Sequence, residues 1–311
     1  MSINLTGRVA IVTGAGGGLG RAHAVLLARL GAKVVVNDLH NGARVAAGAA
    51  PPAETVVKEI TAAGGEANAS NCSVTDFEQV QKMVADTVDR WGKVDILVNN
   101  AGILRDKIFA KMDLADFRLV LDVHLMGSVN CTKAVWDLMR AQNYGRIVLT
   151  TSSSGLYGNF GQSNYGAAKL ALVGFMQTLA LEGAKNNIRV NCIAPTAATG
   201  MMEGLLSADA IATLNPAAVS PAIAALVAED APTRMILCAG GGSFEAAHVT
   251  LTRGVYLGTD DGVSALIGRR LNEIADRTGE ITPSGAFTQS EVELSNARAA
   301  GGPTAGASRD A

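Results

Sequence analysis

The chain has 311 residues, 48% of them hydrophobic and 17% charged, with 26 basic and 28 acidic side chains giving a formal net charge of -2. This balance leaves no basic footprint for nucleic acid, and no uninterrupted apolar run approaches the roughly 18 residues of a membrane span. The four cysteines, Cys72, Cys131, Cys192 and Cys238, are scattered with no CxxC pair, which argues against a zinc site and a disulfide framework and favours a reducing cytoplasm.

Strand-length apolar runs alternate with helix-length segments: "RVAIVTG" near 8 to 14, "KVVVND" near 33 to 38, "VDILVNN" near 94 to 100, "GRIVLTTS" near 145 to 152 and "IRVNCIAP" near 188 to 195. Continuous β-branched runs imply strands buried on both faces, and the helical segments between them imply crossovers. The predicted fold is an α/β, Rossmann-type doubly wound parallel sheet. "LHNGARVAAGAAPPA", 39 to 53, is an insertion that breaks periodicity. A helix is expected over Pro216 to Glu229 and a strand at "RMILCAG". One domain is expected over 1 to 278, followed from Gly279 by a flexible tail poor in large apolar groups. The N-terminus does not read as a signal peptide, and "SRDA" carries no obvious address.

"TGAGGGLG", Thr13 to Gly20, follows the first strand and opens a helix. Gly14, Gly18 and Gly20 permit a tight turn and close backbone approach, with Leu19 inside the same motif, so helix N-terminal amides can receive a pyrophosphate. Asp38 ends the second strand about 20 residues past this turn, where a carboxylate accepts ribose hydroxyls and repels a 2′-phosphate. The nearest arginine downstream, Arg44, belongs to the insertion, so NAD is expected rather than NADP. Tyr165 and Lys169 stand four apart at the start of a helical segment and share a face. An ammonium beside a phenol, helped by a cationic nicotinamide, would draw its pKa down from about 10 toward working pH, making Tyr165 a general acid or base.

Together, "TGAGGGLG", "NNAG" at Asn99 to Gly102, a serine thirteen residues before the tyrosine, and "YGAAK" make the chain resemble the short-chain dehydrogenase/reductase family over about residues 6 to 240. The resemblance implies that Tyr165 exchanges the proton, that Ser152 hydrogen-bonds the substrate oxygen, and that Lys169 holds the nicotinamide ribose while lowering the tyrosine's pKa. Asn99, Ala101 and Gly102 are then expected beside the cofactor, with Pro195 and Thr199 near the nicotinamide after the sixth strand. Periodicity alone leaves Ser152 and Ser154 on one face; only the family spacing selects Ser152. Two positions depart from the family. His124, in "VHLMG", stands where an asparagine usually supports a water relay to the lysine, and a supporting catalytic role through an imidazole nitrogen is expected for it. Ser73, in "CSVTD", replaces the usual aspartate near the adenine, a weaker contact.

The insertion, "NNAGILRDKIFAKM", the histidine and "GLYGNFGQSNYGAAKLAL" together resemble the (3R)-hydroxyacyl-CoA dehydrogenase part of the type 2 peroxisomal multifunctional enzymes. That resemblance implies NAD-dependent oxidation of a 3-hydroxyacyl-CoA to its 3-keto form, with 17β-hydroxysteroids as an alternative substrate; a non-catalytic nucleotide-binding scaffold is the remaining reading. Leu156, Tyr157 and Phe160 are expected to wall the substrate pocket, with a lid over about 200 to 215. The apolar helices around "FRLVLDVHLMGSVNCTKAVWDLM" and "YGAAKLALVGFMQTLALE" point to a homodimer or homotetramer. A freestanding bacterial, cytoplasmic enzyme is expected.

Overall fold

The structure is a computed structural model that describes residues 3–39, 50–198 and 207–301. Among the described residues eight strands make one sheet: β1 (Val9–Thr13), β2 (Lys33–Asn37), β3 (Glu66–Ser70), β4 (Ile96–Asn99), β5 (Gly145–Thr150), β6 (Ile188–Pro195), β7 (Ile236–Gly240) and β8 (Ser243–Ala247). Their order is β3-β2-β1-β4-β5-β6-β7-β8, parallel throughout except for the antiparallel β7-β8 hairpin. The helices are α1 (Gly18–Arg29), α2 (Pro52–Ala62), α3 (Phe77–Trp91), α4 (Leu114–Leu121), α5 (Gly127–Gln142), α6 (Ser153–Tyr157), α7 (Ser163–Gly183), α8 (Ala208–Thr213) and α9 (Ser220–Leu226).

Side-chain alternation along the strands divides the interior in two. Ala10, Val12, Val34, Val36, Ile96 and Val98 point to one layer, shared with Leu27 of α1, Val56 of α2 and Ile223 of α9. Ile11, Val35, Leu97, Ile147 and Leu149 point to the other, shared with Met83 of α3, Met139 of α5 and Met176 of α7. Burial on both faces is why these strands read as unbroken apolar runs. Strand order reverses at β1, which lies between β2 and β4, and the carboxyl ends of the strands there form the crevice where ligands of such sheets bind.

The chain divides into two compact units, Met1–Ala247 and His248–Ala311. Among its described residues the second unit carries a bridge between Leu251 and Ile281 and three helices, α10 (Val263–Arg269), α11 (Leu271–Ile274) and α12 (Phe287–Ala299). The expected flexible tail thus contains a 13-residue helix, while 302–311 lie outside the described residues. The helix expected from Pro216 to Glu229 is a 3-10 turn at Pro216–Ala218 followed by α9. Of the insertion, residues 40–49, including Arg44, lie outside the described residues, and Pro52 opens α2. Among the described residues no helix is long and apolar enough to cross a membrane, and no group of three or more His, Cys, Asp or Glu could hold a metal ion.

Candidate active site

The glycine turn has the build of an anion cradle. Gly14 takes φ +64°, and a Cβ there would lie 2.7 Å from the Ala101 Cα; a Cβ on Gly20 would lie 2.1 Å from the Gly14 carbonyl oxygen. Only glycine allows that approach of α1 to the β4 loop. At Gly17, the residue before α1, a Cβ would meet nothing within 4 Å, no side chain caps the helix, and its first turn carries no acid. Uncapped amides at the positive end of a twelve-residue helix, facing open space, fit a pyrophosphate. Leu19, next in the motif, packs on the first core layer. Asp38 is half-buried beside this turn, its Oδ2 accepting from the Gly16 amide at 2.8 Å. The carboxylate thereby fixes the turn and its own place at the rim.

The other wall comes from "NNAG". Thr13 Oγ1 accepts from the amides of Asn100 and Ala101 at 3.0 and 3.1 Å, and Asn100 Nδ2 donates to the Thr13 and Gly14 carbonyls at 3.0 and 3.1 Å. Asn99 instead points into the fold, donating to Thr132 Oγ1 at 3.2 Å and leaving a buried Oδ1 without a partner. The sequence reading missed Thr13 and Asn100; the signal was a polar residue at each strand end that had no solvent to face. Ser73 is occupied locally, its hydroxyl 2.8 Å from Thr75 Oγ1 and its amide on Gln79 Oε1 at 3.0 Å.

Ser152, Tyr165 and Lys169 come together where β5 gives way to α6 and α7. The strand ends at Thr150 rather than running through the serines, and Ser152 is the N-cap of α6, accepting from the Ser154 amide at 3.2 Å. Ser152 bears on the Tyr165 phenol and draws its pKa down. Lys169, only 3% exposed, donates to the Thr150 carbonyl at 2.5 Å and lies 5.5 Å from the centre of the Tyr165 ring. A Cβ on Gly155 would lie 2.7 Å from Lys169 Cβ, so the missing side chain lets α6 settle onto α7 at the lysine.

Burial pushes the Lys169 ammonium down to about 7. Burial also raises the Tyr165 phenol, Ser152 opposes this, and Asp106 adds to it. In the protein by itself loss of water dominates both groups; the expected lowering of the phenol by the lysine and a cationic nicotinamide concerns the enzyme with its cofactor bound.

His124 is buried in a π-helical turn, Asp122–Met126, between α4 and α5. Its ring meets Tyr165 edge-on, centroids 5.2 Å apart at 87°. Burial, then the nearby Lys169, lowers it to about 3, against a smaller upward pull from the Ile103 backbone, so the ring is neutral. Pro195 closes β6, and Thr199 with residues 200–206 of the lid lies outside the described residues. Of the expected pocket wall, Leu156 packs on the second core layer, while Tyr157 and Phe160 are 73% and 88% exposed. Tyr157 bears on the Cys238 thiol and draws its pKa down against burial.

A parallel sheet with a phosphate cradle at its switch point and a tyrosine–lysine pair at the next strand ends defines a dinucleotide-dependent oxidoreductase class. The short chain dehydrogenase family profile matches residues 8–210, and the chain belongs to that family. It is 52% identical over 224 residues to the peroxisomal multifunctional enzyme type 2 of Drosophila melanogaster, covering 72% of this chain and 37% of that one. The solved full-length structure of the Drosophila protein superposes with a TM-score of 0.79 at 38% identity, over 94% of this chain and 49% of that one. The peroxisomal hydratase-dehydrogenase-epimerase of Saccharomyces cerevisiae is 46% identical over 228 residues, 73% of this chain and 25% of the yeast protein. A 7α-hydroxysteroid dehydrogenase complexed with NADH and 7-oxo glycochenodeoxycholic acid matches with a TM-score of 0.69 at 30% identity, covering 77% and 95%. The chain thus spans about a third of the Drosophila relative's length and a quarter of the yeast one's.

Proposed function

We propose that this oxidoreductase converts a (3R)-3-hydroxyacyl-CoA into the 3-ketoacyl-CoA with NAD. The observation that carries the reaction type is Lys169, a lysine buried beneath a tyrosine at the strand ends, where a purely structural side chain would not be charged. In this reading Ser152 holds the substrate hydroxyl, and Tyr165, as phenolate, takes its proton. Lys169 binds the nicotinamide ribose and stabilises the phenolate, and His124 supports the pair. A bound nicotinamide dinucleotide supplies the hydride acceptor, with Gly14, Gly18, Leu19 and Gly20 on its pyrophosphate. Ala101, Gly102 and Pro195 line the rest of its length, Ser73 is assigned to the adenine end and Thr199 to the nicotinamide from the sequence alone, and Asn99 supports the wall from inside the fold. Asp38, at the rim of the turn, favours NAD by repelling a 2′-phosphate.

The substrate class is supported by the names of the Drosophila and yeast relatives, with Leu156, Tyr157 and Phe160 on the acyl side. A hydroxysteroid is the second reading, favoured by the steroid-bound neighbour. Exposed Leu119, Met126, Leu170 and Leu181 supply apolar surface for a homodimer or homotetramer. Four free cysteines suit a cytoplasmic location. The test is initial-rate NADH formation from (3R)-3-hydroxyacyl-CoAs of several lengths and from 17β-hydroxysteroids, with NAD and NADP in parallel. The fastest turnover is expected with an acyl-CoA and NAD; faster turnover of every steroid, or a preference for NADP, contradicts the proposal.

A further inference from the structure

The loop between β4 and α4 is exposed without a break from Arg105 to Lys111. It is nonetheless tied at three successive residues to the approach and first turn of α7. Asn164 Nδ2 donates to the Arg105 carbonyl at 2.9 Å, Gln162 Nε2 to Asp106 Oδ2 at 2.7 Å, and the Lys107 amide to the Gly161 carbonyl at 2.9 Å. Asn164 is fully buried, and its Oδ1 accepts from the Tyr165 amide at 2.7 Å. One side chain thus joins this loop, at the carboxyl end of β4, to the residue proposed to react. Beyond the ties the chain makes a 3-10 turn, Phe109–Lys111, in which the Lys111 amide donates to the Ile108 carbonyl at 2.9 Å. Residues three apart eclipse in such a turn, so Lys111 stands above Ile108, next to Lys107 along the chain. Phe109, in the same turn, is 72% exposed.

The acids of this segment are engaged elsewhere. Asp106 takes the Gln162 amide, Asp113 caps α4 by accepting from the Ala115 amide at 2.8 Å, and Asp116 pairs with Arg105 at 3.6 Å. Among the described residues the Lys107 and Lys111 ammoniums meet no carboxylate and make no side-chain hydrogen bond. Lys33, Lys82, Lys93 and Lys133, by contrast, each meet an acid. In a chain of net charge -2, two neighbouring ammoniums without a counter-charge make a local positive edge, set on the apolar surface of Ile108 and Phe109.

We propose that Lys107 and Lys111 receive the adenosine 3′-phosphate 5′-diphosphate end of the substrate, with Ile108 and Phe109 against its pantetheine arm. This rests on the reading of the substrate as an acyl-CoA. The 3′-phosphate and the diphosphate together carry about four negative charges at neutral pH, and an ammonium meets a phosphate as a compact point charge. The pantetheine arm keeps the phosphates away from the carbon that reacts at Tyr165, so their cations belong on the outer edge of the crevice wall and not inside it. A loop that is fixed to α7 through Asn164 and exposed beyond that tie holds such a position. An unconjugated hydroxysteroid carries no anion for these lysines, so the loop separates the two substrate classes.

The test measures kcat/KM for one (3R)-3-hydroxyacyl group carried on coenzyme A and on N-acetylcysteamine, which keeps the thioester and lacks the nucleotide. In the double variant Lys107→Glu, Lys111→Glu the ratio of the first to the second should fall by about tenfold or more at low ionic strength. In the native protein the same ratio should fall as salt rises. Lys107→Gln with Lys111→Gln should give a smaller fall in the same direction. Lys185→Glu, which reverses an exposed lysine just beyond the far end of α7, should keep the ratio within about twofold of native. A ratio unmoved in both double variants, an equal fall in Lys185→Glu, or a native ratio indifferent to salt would overturn the proposal. So would a loss confined to the thioester of an acyl carrier protein, which would give the loop to a protein partner. Coenzyme A titrated calorimetrically into NADH-saturated protein should bind about tenfold more weakly to the double charge reversal than to native; no native binding, or an unchanged affinity, overturns the proposal. A native protein that oxidises neither thioester would defeat the proposed reaction, whereas the calorimetric comparison decides the loop without turnover.

Discussion

Burial drives Tyr165 and Lys169 toward their neutral forms, the phenol up and the ammonium down to about 7. The two buried histidines among the described residues obey the same physics without sharing the chemistry. His23, fully buried, bonds Ser220 Oγ at 2.9 Å and leaves Nε2 without a partner. Burial lowers both His23 and His124 to about 3. Above about pH 6.5 the folded and unfolded chains bind the same number of protons at these sites. Below it the unfolded chain takes up protons that the folded chain refuses, so stability falls as pH drops toward 3, by about 1.4 kcal/mol per pH unit for each histidine. Thermal unfolding at pH 5 should therefore show a midpoint well below that at pH 7, and His23→Leu should flatten the dependence. A midpoint that is level across this range would mean that the rings are not held neutral.

At the scale of elements, the amino ends of the strands are fastened by a stack that does no chemistry. The Tyr144 ring lies between the guanidinium groups of Arg8, 3.7 Å from its centre, and Arg146, 4.1 Å from it. Arg146 is 0% exposed and donates to the carbonyls of Ala228, Gly145, Asn187 and Glu229. It thereby joins the starts of β5 and β6 to the turn after α9. Arg146→Met should cost about 3 kcal/mol or more in urea unfolding, because four carbonyls lose a charged donor; a loss below about 1 kcal/mol would show that water replaces it. The elements also show what sequence made visible. β1, β2, β4, β5 and β6 were legible because burial on both faces demands unbroken apolar runs. β3, "EANAS", and β8, "SFEAA", are the edge strands, and an edge that meets solvent may use small and charged residues, so neither carries that signature. The sequence predicts β5 as far as Ser152, but the strand ends at Thr150 and Ser152 already caps α6.

At the scale of the molecule, the first unit holds the sheet, the crevice and both core layers. In the second, none of the described residues is buried, which is why its helices left only a weak pattern in the sequence. The site was legible where spacing carries the chemistry: the glycine turn after β1, Asp38 at the end of β2, and the tyrosine–lysine pair one helical turn apart. Its supports were not, because Thr13, Asn100, Ile103 and Gly155 act through backbone groups and missing side chains that only the folded chain brings together. The direction of the phenol's shift was equally hidden, since burial is a property of the whole fold. The central claim, that this crevice oxidises an alcohol through Tyr165, is met most directly by Tyr165→Phe. NADH formation from a (3R)-3-hydroxyacyl-CoA should fall by about a thousandfold while NADH affinity, read by fluorescence titration, stays within about threefold of native. Retained turnover in that variant would contradict the account.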